Sequence, residues 1–153
     1  MKKVYLVLFV AFSLLVTSFS TCENDEFDPD PNADARDDIA IKWNCEAYEV
    51  TDAGQTFAGS YEVLIKKSET VDNEIILTNF NNWGDASEVV AILTSSTITF
   101  KTQTVEGYNL TGDGTISDQI QEITWDYTLD DGIEILNYKA TFSPSSISKK
   151  RGI

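Results

Sequence analysis

The chain has 153 residues and not one histidine. That absence excludes Ser-His-Asp and Cys-His catalysis and removes the commonest general base and the usual zinc ligand. Cysteine is nearly absent too, with Cys22 and Cys45 alone. Bases are few: 11 Lys and Arg stand against 25 Asp and Glu, for a formal charge of −14. Nucleic-acid backbones need clustered Lys and Arg to displace counterions. The one basic cluster, Lys149-Lys150-Arg151, is a solvated tail, so no nucleic-acid partner is expected. The most apolar stretch, Val4–Val16, is interrupted at Ser13 and falls short of the roughly 20 residues that cross a bilayer as a helix. Gly112 and Gly114 are not followed by the lysine and helix of a phosphate loop. Carboxylates are plentiful, but no spacing singles out a hydrolytic pair. No catalytic set, metal site or cofactor is expected, and the protein is not read as an enzyme.

What is present begins at the N-terminus. Lys2 and Lys3 precede the apolar run, and the small and polar residues Thr17-Ser18-Phe19-Ser20-Thr21 lead to Cys22. Basic, apolar and small-residue regions in that order form a secretory signal. The box Phe19-Ser20-Thr21-Cys22 resembles a bacterial lipoprotein signal, in which the cysteine is diacylated and becomes the new N-terminus. Phe19 and Thr21 depart from the usual Leu and from the usual Gly, Ala or Ser. Ordinary cleavage after Ser20 is the alternative. Two or more acyl chains make a durable tether, because each buried CH₂ contributes about 0.8 kcal/mol. Residues 1–21 are therefore read as a signal peptide and Cys22 as the lipid attachment site, with the membrane as a partner. Acylation of Cys22 also leaves Cys45 without a disulfide partner.

Residues 22–39 are read as a flexible acidic linker. Eight acids lie between Cys22 and Asp38, with Arg36 the sole base, Pro29 and Pro31, and Phe27 the single large apolar residue. Such a segment buries too little surface to offset its ordering entropy. Asp28, Asp30, Asn32 and Asp34 alternate as in a calcium loop, but Ala33 and Ile39 stand at its glycine and closing-acid positions, so a solvated spacer is preferred. Acids directly after the lipid cysteine resemble the surface-export signal of Bacteroidetes lipoproteins. That resemblance implies an exported outer-membrane lipoprotein facing the cell surface.

Residues 40–143 carry a period of two. Ile123, Trp125, Tyr127 and Leu129 alternate with Glu122, Thr124, Asp126 and Thr128, which places them on one face of a strand. β-Branched and aromatic residues dominate such runs, and no window has a helical period. Eight strands are predicted, near 40–50, 60–68, 74–80, 88–94, 97–104, 108–116, 121–129 and 133–142. Short links such as Thr94-Ser95-Ser96 and Asp130-Asp131-Gly132 make them an antiparallel up-and-down meander. Eight strands can close into a small all-β barrel without edges, with a β-sandwich as the alternative. Gly112-Asp113-Gly114 marks barrel curvature. Residues 144–153 form a polar tail.

Trp43, Gly59-Ser60-Tyr61, Asn79-Phe80, Thr97-Ile98-Thr99-Phe100 with Gln103, Gly112-Asp113-Gly114 and Ile123-Thr124-Trp125-Asp126-Tyr127 occur in an order that resembles small Bacteroidetes lipoproteins with a lipocalin-like (calycin-like) β-barrel. The resemblance implies a fold and a location but no general activity.

Recognition, if any, falls to aromatics. The inward phase holds Trp43, Tyr61, Phe100, Trp125, Tyr127, Tyr138 and Phe142, enough to fill the barrel and leave a shallow mouth. Cys45, on the same phase, reads as a small buried hydrophobe. Trp83 differs because it lies in the polar connection Asn79–Asp85. With Asn82 and Asp85 beside it, it is a candidate sugar-stacking platform; alternatively it folds over the barrel end as a plug, which is preferred. The expected role is a non-catalytic binding or accessory module for a glycan, small apolar ligand or envelope protein. The alternative is an envelope structural or interaction protein with a filled barrel.

Overall fold

The alternating runs form nine antiparallel strands: β1 (Lys42–Thr51), β2 (Gly54–Lys67), β3 (Glu74–Thr78), β4 (Glu88–Thr94), β5 (Thr97–Phe100), β6 (Gln103–Val105), β7 (Tyr108–Ile116), β8 (Ile123–Asp130) and β9 (Ile135–Pro144). They are seen in a computed structural model that describes residues 34–145, all within the unit Ala33–Ile153. Sequence neighbours pair except β5 and β6, which both pair with β7, and β9 returns to β1. The result is a closed eight-stranded antiparallel barrel with β6 as an added strand. It is not a sandwich.

Alternation sets the inside. On β8 the burial follows the sequence pattern residue by residue, with Ile123, Trp125, Tyr127 and Leu129 buried. Trp43, Cys45 and Ala47 of β1, Ile98 and Phe100 of β5, and Ala140 and Phe142 of β9 join them. Curvature depends on two glycines of β7. Gly112 faces Tyr127 and Gly114 faces Trp125 in the β7–β8 register. A Cβ on Gly112 would meet the Asp126 carbonyl oxygen at 2.3 Å, and one on Gly114 would lie 2.9 Å from the Trp125 indole. A side chain at either position would therefore collide with β8.

Three strand boundaries differ from expectation. The run 97–104 splits after Phe100: the Lys101 amide donates to the Val90 carbonyl, and the chain turns away into β6. The Gln103 side chain then completes the β4 edge, donating to the Val90 carbonyl at 2.6 Å and accepting from the Val90 amide at 2.9 Å. β2 starts at Gly54 rather than near 60, because pairing with β1 extends a segment that lacks alternation itself. β3 stops at Thr78 and releases Phe80 from the sheet.

The connections β1–β2, β3–β4, β6–β7 and β8–β9 gather at one end, here called the mouth. The other end, the base, receives the β2–β3, β4–β5 and β7–β8 connections together with Asp34 and Ser145, while the β5–β6 link lies within the wall alongside β7. Residues 34–39, placed in the linker on charge, form a turn against the base. Ile39 is buried, and its carbonyl accepts from the Trp43 indole at 3.0 Å. The Arg36 guanidinium donates through Nε and Nη2 to the two oxygens of Asp34, and through Nη1 to the carbonyls of Ser68, Val71 and Glu74 at 3.2, 2.8 and 3.1 Å. One arginine thus satisfies three carbonyls of the β2–β3 connection, which explains why a cation is buried inside an acidic stretch. Residues 1–33, including Cys22, and the tail beyond Ser145 lie outside the described residues.

Candidate site at the barrel mouth

The β3–β4 connection closes the mouth. Asn79, Asn81 and Asn82 all have positive φ, at 58°, 54° and 60°. Asparagine tolerates this left-handed region better than other residues with a Cβ. Asn79 also ties the loop down: its amide donates to the Glu62 carbonyl at 2.7 Å, and its side-chain oxygen accepts from the Gly84 amide at 2.7 Å. Between these bends a 3-10 turn over Phe80–Asn82 drives Phe80 into the barrel.

Phe80 is the plug. It is fully buried and meets Tyr127 at 4.9 Å, Phe100 at 5.1 Å and Trp125 at 5.8 Å, edge to face in each case. Burying such a ring contributes about 1.5–3 kcal/mol. The preferred sequence reading gave that role to Trp83, three residues further on. The structure instead places Trp83 half-buried on the rim, stacked on Tyr108 with centroids 6.1 Å apart and planes 12° apart. Asn82 and Asp85 are exposed beside it in the chain. Ser87 fastens the loop's far end, donating to the Trp83 carbonyl at 3.3 Å and to the Glu106 carboxylate.

The sequence reading missed Phe80, Tyr108 and Asn81 as parts of this site. Asn81 accepts from the Tyr127 hydroxyl at 2.9 Å, joining the loop to the barrel wall. The available signal was a phenylalanine flanked by asparagines, residues able to take the bends that turn it inward.

Below the plug the barrel is filled. Trp43, Phe100, Trp125, Tyr127 and Phe142 are buried, as the inward phase implied, while Tyr61 and Tyr138 are half-buried. Cys45 is a free, buried thiol, and burial pushes its pKa up to about 12, so it is inert as a nucleophile. Burial also raises Tyr61 and Tyr127 well above the ordinary phenol value. The Tyr61 hydroxyl and the Trp125 indole nitrogen are buried without a hydrogen-bond partner among the described residues. No group of three or more His, Cys, Asp or Glu among the described residues is arranged to hold a metal ion.

The interior is thus occupied by the protein's own side chains, and half-buried Trp83 and Tyr108 lie on the rim with exposed Asn82 and Asp85. This is a small closed antiparallel barrel compatible with the lipocalin-like architecture. No protein-family model and no curated protein matches the chain.

Proposed function

We propose that the protein is an exported lipoprotein, acylated at Cys22 and held to the outer membrane facing the cell surface, whose barrel is a non-catalytic binding module. Recognition is assigned to the rim around Trp83, Asn82 and Asp85. One observation carries this reading: Trp83 is braced flat on Tyr108, in a loop pinned by Asn79, instead of being consumed by the core. A rigid indole beside exposed amide and carboxylate groups suits a glycan, whose apolar ring face stacks while its hydroxyls find polar partners. Phe80 disfavours a small apolar ligand held deep in the barrel. The first described residue, Asp34, lies at the base, the end opposite the mouth.

Binding of polysaccharides from the native envelope by the full chain and by Trp83→Ala tests the reading. The wild type is expected to retain a glycan that the variant releases; equal retention removes the platform. Incorporation of radioactive fatty acid, lost in Cys22→Ala, tests the anchor separately. A filled barrel equally supports an envelope structural or partner-interaction role without a small ligand. That reading expects a co-purifying protein and no glycan.

A further inference from the structure

β2 is paired on one side along most of its length and on the other for only a short part. It meets β1 from Gly54 to Leu64, but β3 only from Leu64 to Lys67. Asn79 caps the Glu62 carbonyl, and beyond it the other side of Gly54–Ser60 meets no strand among the described residues. The segment is exposed except at half-buried Gly59. Bare edges are ordinarily protected by lysine, proline or inward-pointing charge. Here the edge reads Gly-Gln-Thr-Phe-Ala-Gly-Ser, without a charge or a proline, in a chain that is 24% charged. Its one protective feature is the bulge opposite Ala47 and Tyr48.

Phe57 gives this edge an apolar step. It is 58% exposed and stands edge-on to Tyr48, with ring centroids 5.6 Å apart. A strand added beside β2 would set an alternate side chain against it. The flanks are acidic. Asp52 lies just before the segment and Glu62 just after. The bases nearest in register are engaged: Lys139 with Asp126 at 2.8 Å, and Lys42 with Glu62 itself at 2.6 Å, which makes Asp52 the stronger acidic flank.

We propose that this edge takes an extended polypeptide segment of a partner protein as an added strand, apolar or β-branched at its centre and basic at the end that meets Asp52. The edge supplies main-chain hydrogen bonds, Phe57 the side-chain contact, and Asp52 the charge preference. A second copy of the chain fits worse. Antiparallel pairing centred on Phe57 would set Asp52 of each copy beside the Glu62–Lys42 pair of the other, with no further base to meet it, between two strongly acidic proteins. The site does not use Trp83 and stands apart from the rim reading.

The test uses the full chain in detergent and a dye-labelled alternating Thr-Val heptapeptide with a lysine at each end. Binding is expected to slow hydrogen exchange across 54–60. Glutamates in place of the terminal lysines should weaken binding by about tenfold or more, since like charges set together cost over 1.4 kcal/mol. N-methylation of alternate peptide amides should abolish it. Phe57→Lys should lose binding, Asp52→Asn should weaken it with the strand intact, and Trp83→Ala should leave it unchanged. Absence of protection at 54–60, equal affinity for both peptides, or self-association through this edge each overturns the proposal.

Discussion

The two ends of the barrel are closed by different physics. At the base, polar groups do the work: Arg36 spans Asp34 and three carbonyls, Lys67 pairs with Asp34 and Asp37, and Lys101 pairs with Glu74 at 2.9 Å. At the mouth, a single phenylalanine is set among four aromatic rings by a loop of asparagines. Ion pairs weaken with salt and acid, whereas apolar burial does neither. A barrel with one end held mainly by charge and the other mainly by apolar burial can therefore be opened selectively.

The largest expected effect lies at the mouth. Phe80→Ala removes the plug and leaves a cavity among Phe100, Trp125, Tyr127 and Phe142, for a loss of about 3–5 kcal/mol in urea unfolding. A loss below about 1 kcal/mol would mean that the mouth collapses without its plug, and the comparison would fail. At the base, Ile39→Ala should cost about 2–5 kcal/mol, since Ile39 is its buried apolar contribution beneath Trp43. A near-neutral result there would show the base to be held by charge alone.

Acid sharpens the contrast. Hydrogen bonds from Arg36 hold the Asp34 carboxyl well below the ordinary range, and those from Lys101 and Ser68 lower Glu74. A folded value below the unfolded one means that the contribution is complete above about pH 4 and is lost as pH falls further. Asp131 at the mouth shifts the same way through the backbone amides of Glu134 and Ile133, but it holds its own hairpin turn and not the plug. Between about pH 4 and 2, amides of residues 34–41 should lose hydrogen-exchange protection before those of the 79–87 loop. Asp34→Asn should diminish that difference. If the mouth opens first, the assignment of the acid-sensitive end is wrong.

How much was legible in the sequence follows the same division. Strands that alternate, such as β8, were readable because a period of two directly encodes an inside and an outside. The N-terminal half of β2 was not: Gly54–Gly59 is small and mixed, and only pairing with β1 makes it a strand. Neither closure was readable either. Arg36 was averaged into an acidic segment, yet it finds carbonyls 32 to 38 residues away. Phe80 sits in a connection, where no periodicity tells which aromatic turns inward. Both Phe80 and Trp83 satisfied the description of a plug, and the bends at Asn79 and Asn81 decided between them. Cys22 and the anchor reading fall outside the described residues.

The smallest effect bears on the rim. Trp83 touches Phe80 edge-on at 6.4 Å and stacks on Tyr108, so it links the plug to the β6–β7 hairpin. If the stack is a brace, a double-mutant cycle of Trp83→Ala and Tyr108→Ala should give a coupling of about 0.5–1.5 kcal/mol by urea unfolding. Each single variant should cost less than Phe80→Ala, because Trp83 is only half-buried and Tyr108 likewise. A coupling near zero would make the two rings independent, leaving Trp83 held by Phe80 alone. A loss from Trp83→Ala matching that of Phe80→Ala would instead return Trp83 to the core as a second plug. The mouth would then have no rigid aromatic surface to spare for a ligand.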